Sequence, residues 1–278
     1  MKSQLRVAIT GASGQLGRAL LAQRPERWVV DALDEPRLDI CDWRAVSNRI
    51  EKFQPHLVIH AAAATDVDRC EREPEWAYLS NALGTRNVAR AAAHVGAGLV
   101  YISTNYVFEG ELERPYHEFD RPNPISHYGA SKLAGEREAA VAECWIVRTA
   151  MLYALEGRNF VNTMRRLMAE RDRLSVVYDQ FGNPTYAVDL AAAIIALVEN
   201  APPGVYHTVN SGRASWFDWA AEIKQITSAN VELDPIPASA FPRDANPPRN
   251  GVLASLALPT YGIVLPDWRD ALARALRA

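Results

Sequence analysis

Short, nearly continuous apolar runs recur through the first half of the chain, at Leu5–Thr10, Trp28–Leu33, Leu57–His60, Leu99–Ser103 and Trp145–Arg148. Runs without polar alternation are what parallel strands covered on both faces require. Between them the sequence predicts helices over Gln15–Gln23, Trp43–Phe53, Trp76–His94 and Tyr128–Val141. Strands alternating with helices predict an α/β protein, a doubly wound parallel Rossmann sheet with right-handed crossovers.

After about residue 150 the pattern loosens. It predicts a helix over Phe160–Arg171, a strand over Leu174–Val177, and a helix (Ala187–Glu199) and strand (Val205–Thr208) that return to the main sheet. The tail predicts a helix near Trp216–Thr227, a Pro-rich connection from Pro235 to Pro248 and a last helix near Trp268–Leu276. The expected division is a dinucleotide-binding domain at 1–150, rejoined by about 186–210. The rest of 151–278 forms a smaller C-terminal substrate lobe over the carboxyl edge of the sheet, where open α/β folds bind ligands.

Composition narrows the function by exclusion. With 30 basic against 33 acidic residues and no basic run, nothing points to a nucleic-acid partner. The longest apolar stretch, around Leu190–Val198, is too short to cross a bilayer. Met1–Arg6 leads straight into a strand without a secretory pattern, so a cytoplasmic location is expected. Cys41, Cys70 and Cys144 are odd in number and widely spaced, which predicts reduced thiols rather than a disulfide framework or a zinc site, and no metal site is expected.

Thr10-Gly11-Ala12-Ser13-Gly14-Gln15-Leu16-Gly17 joins the first strand to the first helix. In a dinucleotide site Gly11 permits the tight turn, Gly14 the approach of a pyrophosphate, and Gly17 close helix–strand packing. The pyrophosphate would rest on free N–H groups at the positive helix end. A carboxylate about 20 residues further on grips a ribose hydroxyl, and Asp34 stands there. Asp34 favours NADH and the nearby Arg37 weakens that preference, so the choice between NADH and NADPH is open. The strand ending at His60 runs into Ala61-Ala62-Ala63-Ala64-Thr65, whose small side chains would let backbone line a flat cofactor. His60 itself reads as a structural strand-end residue.

Tyr128-Gly129-Ala130-Ser131-Lys132 places a phenol and an ammonium on one helix face, with Ser126 as its cap. A nearby lysine charge would move a tyrosine pKa from near 10 toward neutrality, making Tyr128 an acid–base catalyst. Ser103-Thr104-Asn105 ends the preceding strand and could aim a hydroxyl at the same substrate oxygen.

Further motifs are Ser103 to Gly110 (Ser-Thr-Asn-Tyr-Val-Phe-Glu-Gly), Pro115-Tyr116, Asn123-Pro124 and Tyr128 to Glu136. With Asn159-Phe160-Val161, Asp179 to Thr185 and Pro248-Arg249-Asn250, they resemble the dTDP-4-dehydrorhamnose reductase family of extended short-chain dehydrogenases/reductases, from end to end of the chain. The resemblance implies reduction of the C4 ketone of a deoxythymidine-diphosphate 6-deoxysugar by NADH or NADPH, giving dTDP-L-rhamnose. It implies that Gly14, Gln15, Leu16, Asp39, Ile40, Ala63, Ala64 and Thr65 contact cofactor with Tyr128 and Lys132, and that Thr104 and Asn105 face the sugar. The family usually has aspartate at the position of Asn105 and a tryptophan where Met151 stands, departures that bear on which sugar is held rather than on hydride chemistry. The family's magnesium dependence has no legible ligand cluster here. Two other readings are a nucleotide-sugar epimerase or dehydratase, and a dinucleotide-binding regulatory subunit resembling the methionine adenosyltransferase β-subunit. A homodimer is left open.

Overall fold

The computed structural model describes residues 4–34 and 37–277, so the lead-in 1–3 lies outside the described residues. In chain order the first half runs β1 (Leu5–Thr10), α1 (Gln15–Gln23), β2 (Trp28–Leu33), α2 (Trp43–Phe53), β3 (Leu57–His60), α3 (Val67–Arg72) and α4 (Pro74–Tyr78). It continues with α5 (Thr85–His94), β4 (Gly98–Thr104), α6 (His127–Ala139) and β5 (Cys144–Thr149). The second half adds β6 (Leu152–Tyr153), α7 (Phe160–Glu170), β7 (Arg173–Val177), β8 (Phe181–Gly182), β9 (Thr185–Tyr186), α8 (Ala187–Asn200) and β10 (Gly204–His207). It closes with β11 (Ala214–Ser215), α9 (Trp216–Thr227), β12 (Glu232–Ile236) and α10 (Trp268–Arg277).

Six strands form one parallel sheet in the order β10-β5-β4-β3-β1-β2. Period-two alternation sends Val7 and Ile9 to one face, against Leu16 and Leu20 of α1 and Leu190 and Ile194 of α8. Ala8 and Val58 face the opposite layer, with Val46 and Ile50 of α2 and Val88 and Ala92 of α5. Each fully buried aliphatic side chain contributes about 1.5–3 kcal/mol by leaving water, which is why the strands carry no polar alternation. The chain winds outward from β1 to β2 and then reverses to β3, which makes the β1–β3 boundary a switch point where a crevice opens.

A separate apolar cluster joins Met164 and Met168 of α7, Trp219 and Ile223 of α9, and Trp268 and Leu272 of α10. Short strand pairs tie this lobe together: β6 with β9, β8 with β11, and β7 with β12.

The structure departs from the expected elements at three places. The helix expected over Trp76–His94 is broken: Pro74 starts α4 in the first-turn position, and a π-helical turn, Leu79–Gly84, separates it from α5. Helix α3, capped by Asp66 on the N–H of Arg69, was not expected at all. The Pro-rich connection also begins inside a strand, since β12 contains Pro235. A two-stranded edge tolerates the missing N–H.

Candidate active site

Strand β1 delivers the chain into the glycine turn, where Gly11 adopts φ +66°. A Cβ on Gly11 would lie 2.7 Å from the Ala62 nitrogen, and one on Gly17 would lie 2.3 Å from the Gly11 carbonyl oxygen. Only glycine fits either place. The first N–H groups of α1 receive no side-chain cap at Gly14, so they remain available to an anion. Asp34, at the end of β2, accepts the Ser13 N–H at 2.8 Å and borders the same turn.

The alanine-rich segment after β3 is held by a residue that spacing did not single out. Asn81, buried in the π-helical turn, accepts the Ala64 N–H at 2.8 Å and donates to the Ala64 carbonyl at 3.1 Å. The same amide donates to the Ser131 hydroxyl at 3.0 Å, and that hydroxyl donates to the Tyr128 carbonyl at 2.8 Å. His60 below this segment is a structural residue, with its ring nitrogens facing the Thr10 and Thr85 hydroxyls at 2.7 and 3.1 Å. Burial drives its pKa down to about 3.

Helix α6 starts where Ser126 accepts the Gly129 N–H at 3.2 Å, which sets Tyr128 and Lys132 on its inward face. Burial raises the Tyr128 pKa, and a side-chain hydrogen bond with Thr104 is the largest opposing influence. The expected movement of this phenol toward neutrality by Lys132 is therefore not what the site delivers, because burial wins and keeps Tyr128 a protonated acid. Burial also pushes Lys132 down to about 7, against the pull of Glu136. Tyr106 meets Tyr128 edge-on at 5.3 Å.

Sequence spacing left open which hydroxyl of Ser103-Thr104 faces substrate. The Ser103 hydroxyl donates to Glu136 at 2.5 Å, which leaves the Thr104 hydroxyl to meet Tyr128. Thr104 accepts the Tyr106 N–H at 3.2 Å and donates to Asn105 Oδ1 at 3.3 Å. Asn105 is buried, and its amide donates to the Gly251 carbonyl at 2.9 Å. Met151 holds φ +44°, an uncommon state for a non-glycine residue, and its sulfur packs on Gly182. Strain of that kind concentrates at ligand sites.

These groups share one cleft of about 1190 Å³ at the carboxyl edge of the sheet. One end carries Gly11, Gly14, Gln15, Leu16, Gly17 and Asp34, with Asp39 and Ile40 beside them. Ala63, Ala64 and Thr65 lie between, and the far end holds Thr104, Asn105, Tyr128, Lys132 and Met151. Asn159 of the C-terminal lobe also lines it and donates to Gln15 Oε1 at 2.8 Å, joining the two halves. Among the described residues no group of three His, Cys, Asp or Glu side chains is placed to hold a metal.

A parallel sheet with a glycine turn at its switch point, and a cleft floored by Thr104, Tyr128 and Lys132, defines the class of extended short-chain dehydrogenases/reductases. A UDP-glucose 4-epimerase of Thermus thermophilus in complex with NAD shares this fold, with a TM-score of 0.87 at 21% identity over 98% of each chain. Residues 5–278 match the family model described as the RmlD substrate binding domain. A dTDP-4-dehydrorhamnose reductase of Mycolicibacterium smegmatis is 42% identical over 282 residues, covering 98% of this chain and 85% of that one. The crystal structure of dTDP-4-dehydrorhamnose reductase from Bacillus anthracis in complex with NADP superposes with a TM-score of 0.96 at 42% identity, covering 99% of both chains. The chain belongs to the dTDP-4-dehydrorhamnose reductase family.

Proposed function

We propose that this protein is an NAD(P)H-dependent reductase that converts the C4 ketone of dTDP-4-dehydrorhamnose to the alcohol, yielding dTDP-L-rhamnose. The observation that carries the reading is the juxtaposition of a protonated Tyr128 with Thr104 in a cleft whose other end is the uncapped N-terminus of α1. The glycine turn, with no space for a Cβ at Gly11 or Gly17, fits a dinucleotide pyrophosphate. When bound, the reduced nicotinamide supplies the hydride.

Tyr128 gives its proton to the oxygen that becomes the alkoxide, and the Thr104 hydroxyl holds that oxygen in place. Lys132 binds the cofactor ribose beneath Tyr128. Gly14, Gln15, Leu16, Asp34, Asp39, Ile40, Ala63, Ala64 and Thr65 hold the cofactor, while Asn105 and Met151 shape the sugar pocket. Residues 1–150 with about 186–210 carry the cofactor, and the remainder of 151–278 closes on the nucleotide sugar. The reaction takes place in the cytoplasm, on a small-molecule partner, by a monomer or a homodimer. Among the described residues no helix is long and apolar enough to cross a membrane.

The test is oxidation of NADH and NADPH against dTDP-4-dehydrorhamnose, with other nucleotide-linked keto sugars alongside. Cofactor should be consumed one for one with sugar, whereas an isomerising enzyme would return it. Tyr128→Phe should lose ~10²–10⁴-fold in kcat, the range of general acid catalysis. A folded Tyr128→Phe protein with near-native turnover would overturn the assignment.

A further inference from the structure

Lys132 is buried, yet among the described residues no carboxylate lies within ion-pair distance of it. Its ammonium sits 4.2 Å from the centre of the Tyr101 ring. The nearest anion along its own helix is Glu136, one turn further on α6 and equally buried. That carboxylate is occupied. Arg148 from β5 binds it through Nε at 2.8 Å and Nη2 at 2.7 Å, and Ser103 from β4 donates to the same Oε1.

A second carboxylate nearby, Glu118, accepts the His207 N–H at 3.2 Å and the Leu256 N–H at 3.0 Å, and among the described residues it forms no ion pair with Arg148 or Lys132. His207 of β10 faces Arg148 Nη1 at 3.5 Å, and its other ring nitrogen faces the Tyr116 and Ala254 carbonyls at 3.0 and 3.1 Å. Burial drives its pKa to about 4, so it is neutral. His60 from β3 is neutral for the same reason, and Tyr101 and Tyr128 are held protonated by burial. Cys144 on β5, near Glu136, is pushed up to about 12 and stays a thiol. Two buried cations thus share the one buried carboxylate of Glu136, while Glu118 is engaged with the backbone of His207 and Leu256.

We propose that Lys132 and Arg148 compete for Glu136, and that the Glu136–Arg148 pair is a positioning device that sets how fully Lys132 is charged beneath Tyr128. Arg148 holds the carboxylate by a two-point fork, which leaves Lys132 the weaker share and makes its charge easy to remove. The low Lys132 pKa, raised only by Glu136 against burial, is in keeping with this arrangement. The proposal rests on the reading of Lys132 as the residue beneath the cofactor ribose.

The test reads Lys132 directly, without substrate. The chain contains four lysines, Lys2, Lys52, Lys132 and Lys224, so trace acetylation across a pH series followed by peptide mass spectrometry gives the Lys132 titration unambiguously. Arg148→Met leaves the carboxylate to Lys132 and should raise that titration by about one pH unit. The double variant Glu136→Gln/Arg148→Met removes both charges of the pair, so neither partner of that pair is left buried alone, and Lys132 loses its anion and should titrate about one unit lower. Ser103→Ala is the mild variant if either fails to fold, and it should shift the titration upward by less than Arg148→Met. The alkaline limb of kcat should follow in the same directions. An unmoved Lys132, or a shift of the same sign in Arg148→Met and the double variant, would overturn the proposal. Turnover of dTDP-4-dehydrorhamnose with an unmoved Lys132 defeats this inference alone. Opposite shifts without turnover defeat the substrate reading alone.

Discussion

Along the glycine turn the cleft is bounded by main chain. Gly11 and Gly17 press on the backbone of Ala61, Ala62 and Ala12, and Asn81 clasps both polar atoms of Ala64. Across the cleft, segments remote in sequence are pinned by side-chain amides instead. Asn105 reaches Gly251, Asn183 reaches Gly212 and Leu253, and Asn159 reaches Gln15. A wall of packed backbone has no soft atom to yield. A wall of side chains can change its members while keeping its shape, and Asn105 and Met151 belong to it. One side of the cleft is thus rigid and the other adjustable.

The largest expected effect comes from breaking the rigid wall. Gly17→Ala puts a Cβ 2.5 Å from Ala12 Cα as well as against the Gly11 carbonyl. It should cost on the order of 4 kcal/mol and abolish cofactor binding, read by denaturant melts and nicotinamide fluorescence titration. Retained NADPH affinity would show that this wall yields after all.

Acid comes next, and it probes both walls, since His60 supports the first and His207 the second. Both folded pKa values, about 3 and about 4, lie below the ordinary 6.5. The unfolded chain therefore takes up these protons first. Stability is fully present above pH ~6.5 and falls as the pH drops, each histidine contributing a loss of about 2 kcal/mol between pH 7 and pH 5. Urea melts at the two pH values should show it, and His60→Gln should remove its own share of the slope.

Gly182→Ala tests the adjustable wall. Its Cβ would meet the Met151 sulfur at 2.6 Å, but that sulfur is the end of a flexible side chain. The expected cost is about 1–2 kcal/mol with a raised KM for the sugar, and adding Met151→Ala should restore stability. Absence of that rescue would make the two walls alike. The smallest effect is at Ser215→Ala, which removes the capping box of α9 in the lobe. It should cost about 1 kcal/mol in thermal melts and leave cofactor affinity unchanged.

How much was legible varies with the same physics. Strands β1, β2 and β3 and helices α1 and α2 fall where the apolar runs and periodicity place them, because burial on both faces writes itself into consecutive residues. Two-residue strands such as β8 and β11 leave no such trace, since their pairing depends on a partner far along the chain. Asn81 was equally invisible, because nothing in its neighbours announces a π-helical turn or a partner at Ala64.

The sequence by itself determined the parallel sheet, the glycine turn and the Tyr128–Lys132 spacing, all set by local steric and periodic rules. Only the tertiary structure decided that Ser103 serves Glu136 while Thr104 serves Tyr128, and that Asn105 is tied to Gly251. It alone decided the state of Tyr128, whose acidity depends on how much water the assembled cleft removes, a quantity that no spacing of residues contains.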